Sequence, residues 1–383
     1  MEDILTRGVA NIIPGKNELE TLLKSGKKLN IYLGIDPTAT KIHLGHAVSL
    51  RILQKFADLD HNVTFLIGDF TALIGDTSDK DSERPQLTKQ EIEENFATYK
   101  SQAEKIVDFS KVNIKHNSEW LSKISFEELL KISNTFSLND FISRELIKKR
   151  LTEGGRVGLS ETYYPLMQAY DSYTLKTDVQ IGGTDQTFNM QAGRNLIKTL
   201  DHRESFVLST EFLMGTDGRK MSKSWGNAIW LDEEPFEMFR KVMSINDDQI
   251  SNYFKLGTNI LIDEIPNDQK ISENPMEIKK KLAKIIVTEF HSENDAIKAG
   301  EQFEKVVQNK ELPSSDMESL EVDSSSSIVD VLENLNLSKS EAKRLVEQDG
   351  VSLNDKKITD PNSKIESGVL KVGRHGFRKI VVK

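Results

Sequence analysis

The sequence predicts an α/β protein built on an open parallel sheet, followed by a helical segment and a small basic module. Three observations carry that expectation. Over residues 1–232, short β-branched or apolar runs alternate with helical patterns, the rhythm of strand–helix–strand units. At three places, "GIDPTATKIHLGH", "IGDTSDK" and "QIGGTDQ", a strand pattern runs into a glycine-containing loop where a helix can begin. Beyond residue 308 the composition changes: "NKELPSSDMESLEVDSSSS" is acidic, Ser-rich and free of aromatics, and a basic tail follows it.

Taken in order, "LNIYLGID" reads as a strand and the stretch from His43 to Asp58 as the helix after it. "HNVTFLIGDF" is the next strand, ending in the Gly/Asp/Ser-rich loop "IGDTSDKDSERPQ". Two helices are expected between Ser125 and Leu151, with Ser125 as an N-cap. "TDVQIGGTDQ" is a strand ending in glycines, and a helix follows from Gln186 to Thr199. "ESFVLSTEFLM" reads as a further strand closed by the turn "GTDG". From Glu233 to Gln308 the pattern is helical, and "NPMEIKKKLAKIIVTEFH" is its clearest amphipathic stretch. "SIVDVLENLNLSKSEAKRLVEQDGVSLNDKKI" then predicts two short helices and a turn, and "GVLKVGRHGFRKIVVK" a basic two-stranded end. The expected domains are therefore 1–232, with a helical insertion near 120–160, then 233–308, a linker over 309–326, and 327–383.

Composition narrows the function classes. A chain of 383 residues suits two or three domains. Hydrophobic residues at 37% and charged residues at 29% describe a soluble globular protein. No apolar run approaches the roughly 18–20 residues that cross a bilayer, so no membrane partner is expected. "MEDILTRGVA" lacks a basic segment leading into an apolar one, so no secretory signal is expected. The absence of cysteine excludes disulfides, thiolate metal sites and a Cys nucleophile, and it fits a reduced, cytoplasmic location. Net charge is −9, but it is unevenly spread. Residues 325–383 carry 11 Lys and Arg against 8 Asp and Glu, a net of +3, whereas the remainder carries 40 against 52, a net of −12. A basic terminal module follows an acidic body, as a nucleic-acid contact would require.

"KIHLGHAVSL" poses the sharpest question, because His43 and His46 open a helix around Gly45. They could be a polar helix end at the surface, or two ligands of a metal on one helical face. They could also hold an anion while Gly45 lets a flat group pack on the backbone. The metal reading needs a third ligand, and the other histidines are scattered at 61, 116, 202, 291 and 375. Loops beyond strand carboxyl ends form the ligand crevice of open α/β sheets, and helix N-termini there favour phosphates. "GRKMSKS" adds Lys220 and Lys223 beside two serines, which alone would be a solvated basic turn.

Together, "HLGH" and "KMSKS" resemble the signature pair of class I aminoacyl-tRNA synthetases, with Leu44 in place of the more usual Ile. That resemblance implies a Rossmann-like, doubly wound parallel sheet, ATP as a substrate with Mg, and no tightly bound protein metal. It implies that His43, His46, Thr38, Lys220 and Lys223 handle the phosphates, while Asp36, Gly45, Gly183, Asp185 and Lys223 bind ATP. Within the class, the segments "YLGIDPT", "YYPLMQAYD" and "QIGGTDQ" are similar to those of the tyrosyl enzymes over nearly the whole chain. By that pattern Tyr32 and Asp171 hold a substrate phenol, and Asp76, Tyr164 and Gln168 hold its ammonium group. Gln180 and Gln186 line the carboxylate side, and Gly183 and Asp185 take the ribose. The spacing of Tyr164, Gln168 and Asp171 puts all three on one helical face, which favours a pocket over a core aromatic and a surface carboxylate. "GDTSDK" lacks the Pro and second Gly common in that loop, which leaves Lys80 and Arg84 without an assigned role. Trp225, next to the signature, also has none.

The terminal module resembles the S-four-type RNA-binding domain, a small α+β fold, through "SKSEAKRLVEQDGVSLNDKKI". Lys339, Lys343 and Arg344 would then meet tRNA phosphates, where charge contacts dominate affinity. The family is homodimeric, and the resemblance implies the same here, with the 125–160 helices near the interface. The implied partners are L-tyrosine, ATP and tRNA(Tyr). A tryptophanyl enzyme of similar architecture is the nearest rival; Tyr32 paired with Asp171 weighs against it. A non-catalytic RNA-binding protein on the same fold is the other.

Overall fold

The computed structural model describes residues 2–38, 40–76, 88–222, 225–308, 319–323, 326–335, 337–354, 356–373 and 376–383. Lys80, Arg84 and Lys223 lie outside the described residues. The chain forms two units, 1–296 and 297–383.

In the first unit six strands form one sheet: β1 (Val9–Ile13), β2 (Asn30–Ile35), β3 (Asn62–Ile67), β4 (Val112–His116), β5 (Val179–Gly183) and β6 (Phe206–Thr210). Their order is β1-β6-β5-β2-β3-β4. β6, β5, β2, β3 and β4 run parallel, and β1 caps the edge antiparallel to β6. The chain moves outward from β2 to β4, then returns to place β5 on the other side of β2. That reversal is a topological switch point, where open sheets of this kind bind ligands at the strand carboxyl ends. β5 and β6 are buried almost throughout, as parallel strands covered on both faces should be.

Three helices frame the switch point: α1 (Leu44–Asp58), α2 (Leu159–Thr174) and α3 (Thr187–Asp201). α1 buries Leu44, Ala47, Val48, Ile52 and Phe56 at helical spacing and packs on β2, β3 and β5. α2 and α3 lie along one another, sharing a core of Leu166, Ala169, Ala192 and Leu196. The helical segment from residue 233 to residue 296 belongs to the same unit, so the expected division at 232/233 does not separate compact bodies. Arg51 of α1 shows why. Buried at 7% exposure, it bonds the Gly257 carbonyl, Asn259 and Glu289 of that segment.

Two further expectations change. Between Ser125 and Leu151 there are three helices, Phe126–Ser133, Leu138–Ile142 and Glu145–Thr152, instead of two. Ser137 ends one apolar run and caps the next, accepting from the Asn139 N–H. Ser125 is the N-cap expected, its Oγ accepting from the Glu128 N–H at 3.1 Å. Residues 309–318 and 324–325 of the linker expected over 309–326 lie outside the described residues, and its described part contributes a strand, β7 (Ser319–Val322). Leu320 and Val322 face inward there, too short an alternation to read without its pairing partner.

In the second unit β7 joins β8 (Val351–Leu353), β9 (Lys356–Lys357), β10 (Gly368–Val372) and β11 (Gly376–Val382) in the order β7-β11-β10-β8-β9. The β10–β11 hairpin is the two-stranded end expected from sequence. Two helices, Ile328–Glu333 and Lys339–Glu347, cover a core that includes Ile328, Leu332, Ala342, Val346, Leu370 and Ile380. Each helix starts in a Ser capping box, Ser327 with Asp330 and Ser338 with Glu341. The unit boundary at 296/297 falls inside the helix Glu293–Phe303. A continuous helical pattern carries no punctuation there, so the sequence offered no sign of it.

Candidate active site

At the switch point lies a cavity of about 990 Å³. β2 and the loop after it line it with Tyr32, Asp36 and Thr38, and the start of α1 with His43, Gly45 and His46. α2 adds Tyr164, Gln168 and Asp171; β5 and the turn after it add Gln180, Gly183, Asp185 and Gln186. Asp76 and Lys220 also line it. These residues are far apart in sequence, and the doubly wound topology brings them to one place.

One end of the cavity is a buried hydroxyl and carboxylate. Tyr32 is 1% exposed, and its hydroxyl lies 2.7 Å from Ser172 Oγ. Burial, then the nearby Asp171 carboxylate, raises the Tyr32 pKa far above its ordinary value, so the phenol keeps its proton. Asp171 accepts from Trp120 Nε1 at 2.7 Å and from Asn117 Nδ2 at 3.1 Å, one donor on each oxygen. Burial nevertheless pushes its carboxyl up to about 7. Gln180 turns its Oε1 to Ser172 at 3.0 Å.

Further along, Asp76 Oδ2 accepts from Gln186 Nε2 at 2.9 Å and from Asn189 Nδ2 at 3.1 Å. The Tyr164 hydroxyl donates to Asp36 Oδ2 at 2.8 Å, and Thr71 donates to Asp36 Oδ1 at 2.8 Å. This wall presents carboxylates held by neutral donors, an arrangement able to take an ammonium group.

The other end is the start of α1. His43 is its N-cap residue, and the His43 N–H donates to His46 Nδ1 at 3.3 Å. With Nδ1 accepting, the neutral His46 ring carries its proton on Nε2. Burial lowers the His46 pKa to about 4, and burial, then His46 and Lys220, lowers that of His43 well below its ordinary value. Both imidazoles are therefore neutral at pH 7, and they meet a ligand as hydrogen-bonding groups instead of cations. His43 Nδ1 is buried with no partner among the described residues. A Cβ at Gly45 would lie 3.0 Å from the His43 ring, so glycine keeps this face open. Lys220 Nζ pairs with Asp185 Oδ2 at 2.8 Å and sits over the Phe212 ring at 4.6 Å. Among the described residues no group of three or more His, Asp and Glu side chains is placed to hold a metal ion.

Several lining residues carried no sequence signal. Trp230 pairs with His43 as an isolated β-bridge, their rings 5.9 Å apart. Asn117, the N-cap residue of the short helix Ser118–Leu121, lines the cavity and bonds Asp171, and Trp120 of that helix bonds Asp171 too. Both reach α2 from more than fifty residues away, and no local motif marks them. In the second unit, Lys339, Lys343 and Arg344 are all exposed on the helix Lys339–Glu347. No helix among the described residues is long and apolar enough to cross a membrane.

The fold, the glycine-lined switch point and the two signature segments define an adenylate-forming class I synthetase architecture. Residues 24–308 match the family of class I tRNA synthetases (W and Y), and residues 328–370 match the S4 domain. The chain belongs to that synthetase family. It is 41% identical to a tyrosine–tRNA ligase of Dehalococcoides mccartyi, covering 100% of this chain and 98% of that protein. It is also 41% identical to a tyrosine–tRNA ligase of Thermotoga maritima, covering 98% and 96%. Among solved structures, the tyrosyl-tRNA synthetase of Archaeoglobus fulgidus complexed with L-tyrosine is 24% identical, with a TM-score of 0.61 over 78% of this chain and 98% of that one.

Proposed function

We infer that this chain is a tyrosine–tRNA ligase that activates L-tyrosine with ATP and passes it to the 3′ end of tRNA(Tyr). The observation that carries the reading is the pairing, in one cavity, of a buried phenol and carboxylate at one end with an open helix N-terminus at the other. A substrate phenol meets Tyr32 and Asp171. Its ammonium group meets Asp76, Gln168 and Tyr164, and its carboxylate lies toward Gln180 and Gln186. ATP lies along the start of α1, with its adenine over Gly45 and its ribose at Gly183 and Asp185; Asp36 completes that subsite. Mg travels with the ATP phosphates as part of the substrate.

In the first step a tyrosine carboxylate oxygen attacks the α-phosphorus, the bond to the bridging oxygen breaks, and pyrophosphate leaves. In the second, a ribose hydroxyl at the tRNA terminus attacks the tyrosyl carbonyl and AMP leaves. The substrate supplies the nucleophile, so catalysis is positioning and stabilisation of charge on the phosphates. His46 Nε2–H, Thr38, His43, Lys220 and Lys223 do that work. Lys220 must first exchange Asp185 for phosphate.

Lys339, Lys343 and Arg344 meet tRNA phosphates. The protein acts as a homodimer in the cytoplasm, and the 126–159 helices support the interface: Phe126, Leu138 and Leu159 are 75%, 63% and 71% exposed. Sedimentation should give a two-chain mass, and a single-chain mass at assay concentration would remove the dimer. For the activity, ATP–pyrophosphate exchange should respond to tyrosine alone when each amino acid is offered in turn. Exchange driven by tryptophan would favour the sister enzyme; no exchange at all would favour a non-catalytic protein.

A further inference from the structure

Ser172 follows Asp171 in α2 and is 1% exposed. It is not among the residues that line the cavity, yet its Oγ is within hydrogen-bond distance of three that are. The Tyr32 hydroxyl is 2.7 Å away and Gln180 Oε1 is 3.0 Å away. The Gln168 carbonyl, one helical turn back, is 3.3 Å away. Gly193 of α3 makes the room, since a Cβ there would lie 2.4 Å from Ser172 Oγ.

We propose that Ser172 is a positioning residue for tyrosine recognition, fixing the Tyr32 hydroxyl and through it the discrimination between tyrosine and phenylalanine. This rests on the reading that Tyr32 meets the substrate phenol. Each hydroxyl has one proton to give. The Tyr32 oxygen is the nearest acceptor to Ser172 Oγ, and Ser172 gives its proton there in preference to Gln180 Oε1 or the Gln168 carbonyl. The Tyr32 O–H is then turned to the cavity. A substrate phenol oxygen accepts that proton while giving its own to Asp171; a phenylalanine ring offers no acceptor, and a buried donor without an acceptor is penalised. Without Ser172 the Tyr32 O–H is free to rotate, and the contrast between the two substrates shrinks.

The test is kcat/KM for tyrosine and for phenylalanine in pyrophosphate exchange by the full-length protein. Tyr32→Phe and Ser172→Ala should each lower the tyrosine-to-phenylalanine ratio by about two- to tenfold, the scale of one neutral hydrogen bond. In the Ser172→Ala enzyme the loss should fall on the KM for tyrosine more than on kcat. The double variant should be no worse than Tyr32→Phe alone, because Ser172 acts through that hydroxyl. Multiplying losses would overturn the proposal, as would a ratio that Ser172→Ala leaves intact while Tyr32→Phe lowers it. A ratio untouched by Tyr32→Phe would instead remove the phenol reading itself. Should Ser172→Ala fail to fold, Gly193→Ala displaces the same hydroxyl from the opposite side, and the same non-additivity with Tyr32→Phe is expected. Full additivity there would refute the proposal equally.

Discussion

Asp171→Asn should stabilise the fold near pH 8 while impairing tyrosine activation. Burial raises the Asp171 carboxyl from 3.8 to about 7. That is roughly three pH units at about 1.4 kcal/mol each, so the ionised carboxylate costs the folded state on the order of 4 kcal/mol at pH 8. The amide offsets part of the gain. Asp171 presents an oxygen to each of Trp120 Nε1 and Asn117 Nδ2, whereas Asn has one oxygen, and a donor left facing an NH2 group costs about 1–3 kcal/mol. The net expectation is a stabilisation of about 1–3 kcal/mol.

The pH dependence follows from the sign of the shift. Because the folded carboxyl has the higher pKa, the native state holds a proton that the unfolded chain has lost between about pH 4 and 7. Wild-type stability from this group is therefore full below that window and falls as pH rises through it. Urea unfolding at pH 5, 6, 7 and 8 should show the advantage of the variant growing with pH and levelling off at the top. In parallel, kcat/KM for tyrosine should fall by roughly 10- to 100-fold, the scale of a hydrogen bond to a charged group. A variant less stable than wild type at pH 8, or a difference flat in pH, would refute the burial argument.

Lys220→Ala should slow adenylate formation in rapid-quench experiments by about tenfold or more and leave tyrosine affinity within about twofold, because its charge acts on the phosphates; an unchanged rate would remove it from the chemistry. A chain ending at residue 308 should keep pyrophosphate exchange and lose most tRNA charging, since the proposed contacts of Lys339, Lys343 and Arg344 with phosphate go with the second unit. Normal charging by that truncated chain would assign the terminal unit another task.

The legible parts of the molecule are those whose cause is local. β2, β3, β5 and β6 could be read because each is a short apolar run ended by glycine or polar loop residues, and α1 because its apolar positions keep helical spacing. β1 was not, since only one of its five residues is buried at this edge. β4 alternates buried and more exposed residues over just five positions, with polar Asn113 and Lys115 among them. β7 depends on β11, some sixty residues on. The site divides the same way. Tyr164, Gln168 and Asp171 share a helical face that spacing alone reveals, whereas the Ser172–Tyr32 bond spans 140 residues and the Trp120–Asp171 bond 51. No window along the chain contains those pairs.

Charge also explains why the resemblance named the phosphate-handling residues without giving their state. Four aspartates, 36, 76, 171 and 185, line the cavity, and Lys41 and Lys220 are the described lysines that do. Lys220 is held by Asp185 and Lys41 is 3.4 Å from Asp232, while burial keeps both histidines neutral. Among the described residues, the end proposed for the phosphates thus holds hydrogen-bond donors and a helix N-terminus more than free positive charge. On the reading proposed above, ATP would bind best there when the cation comes with the nucleotide and Lys220 leaves Asp185 as the phosphates arrive. Charge would then be concentrated on the leaving pyrophosphate in the bound complex instead of being stored in the empty cavity, the condition for differential stabilisation of the transition state.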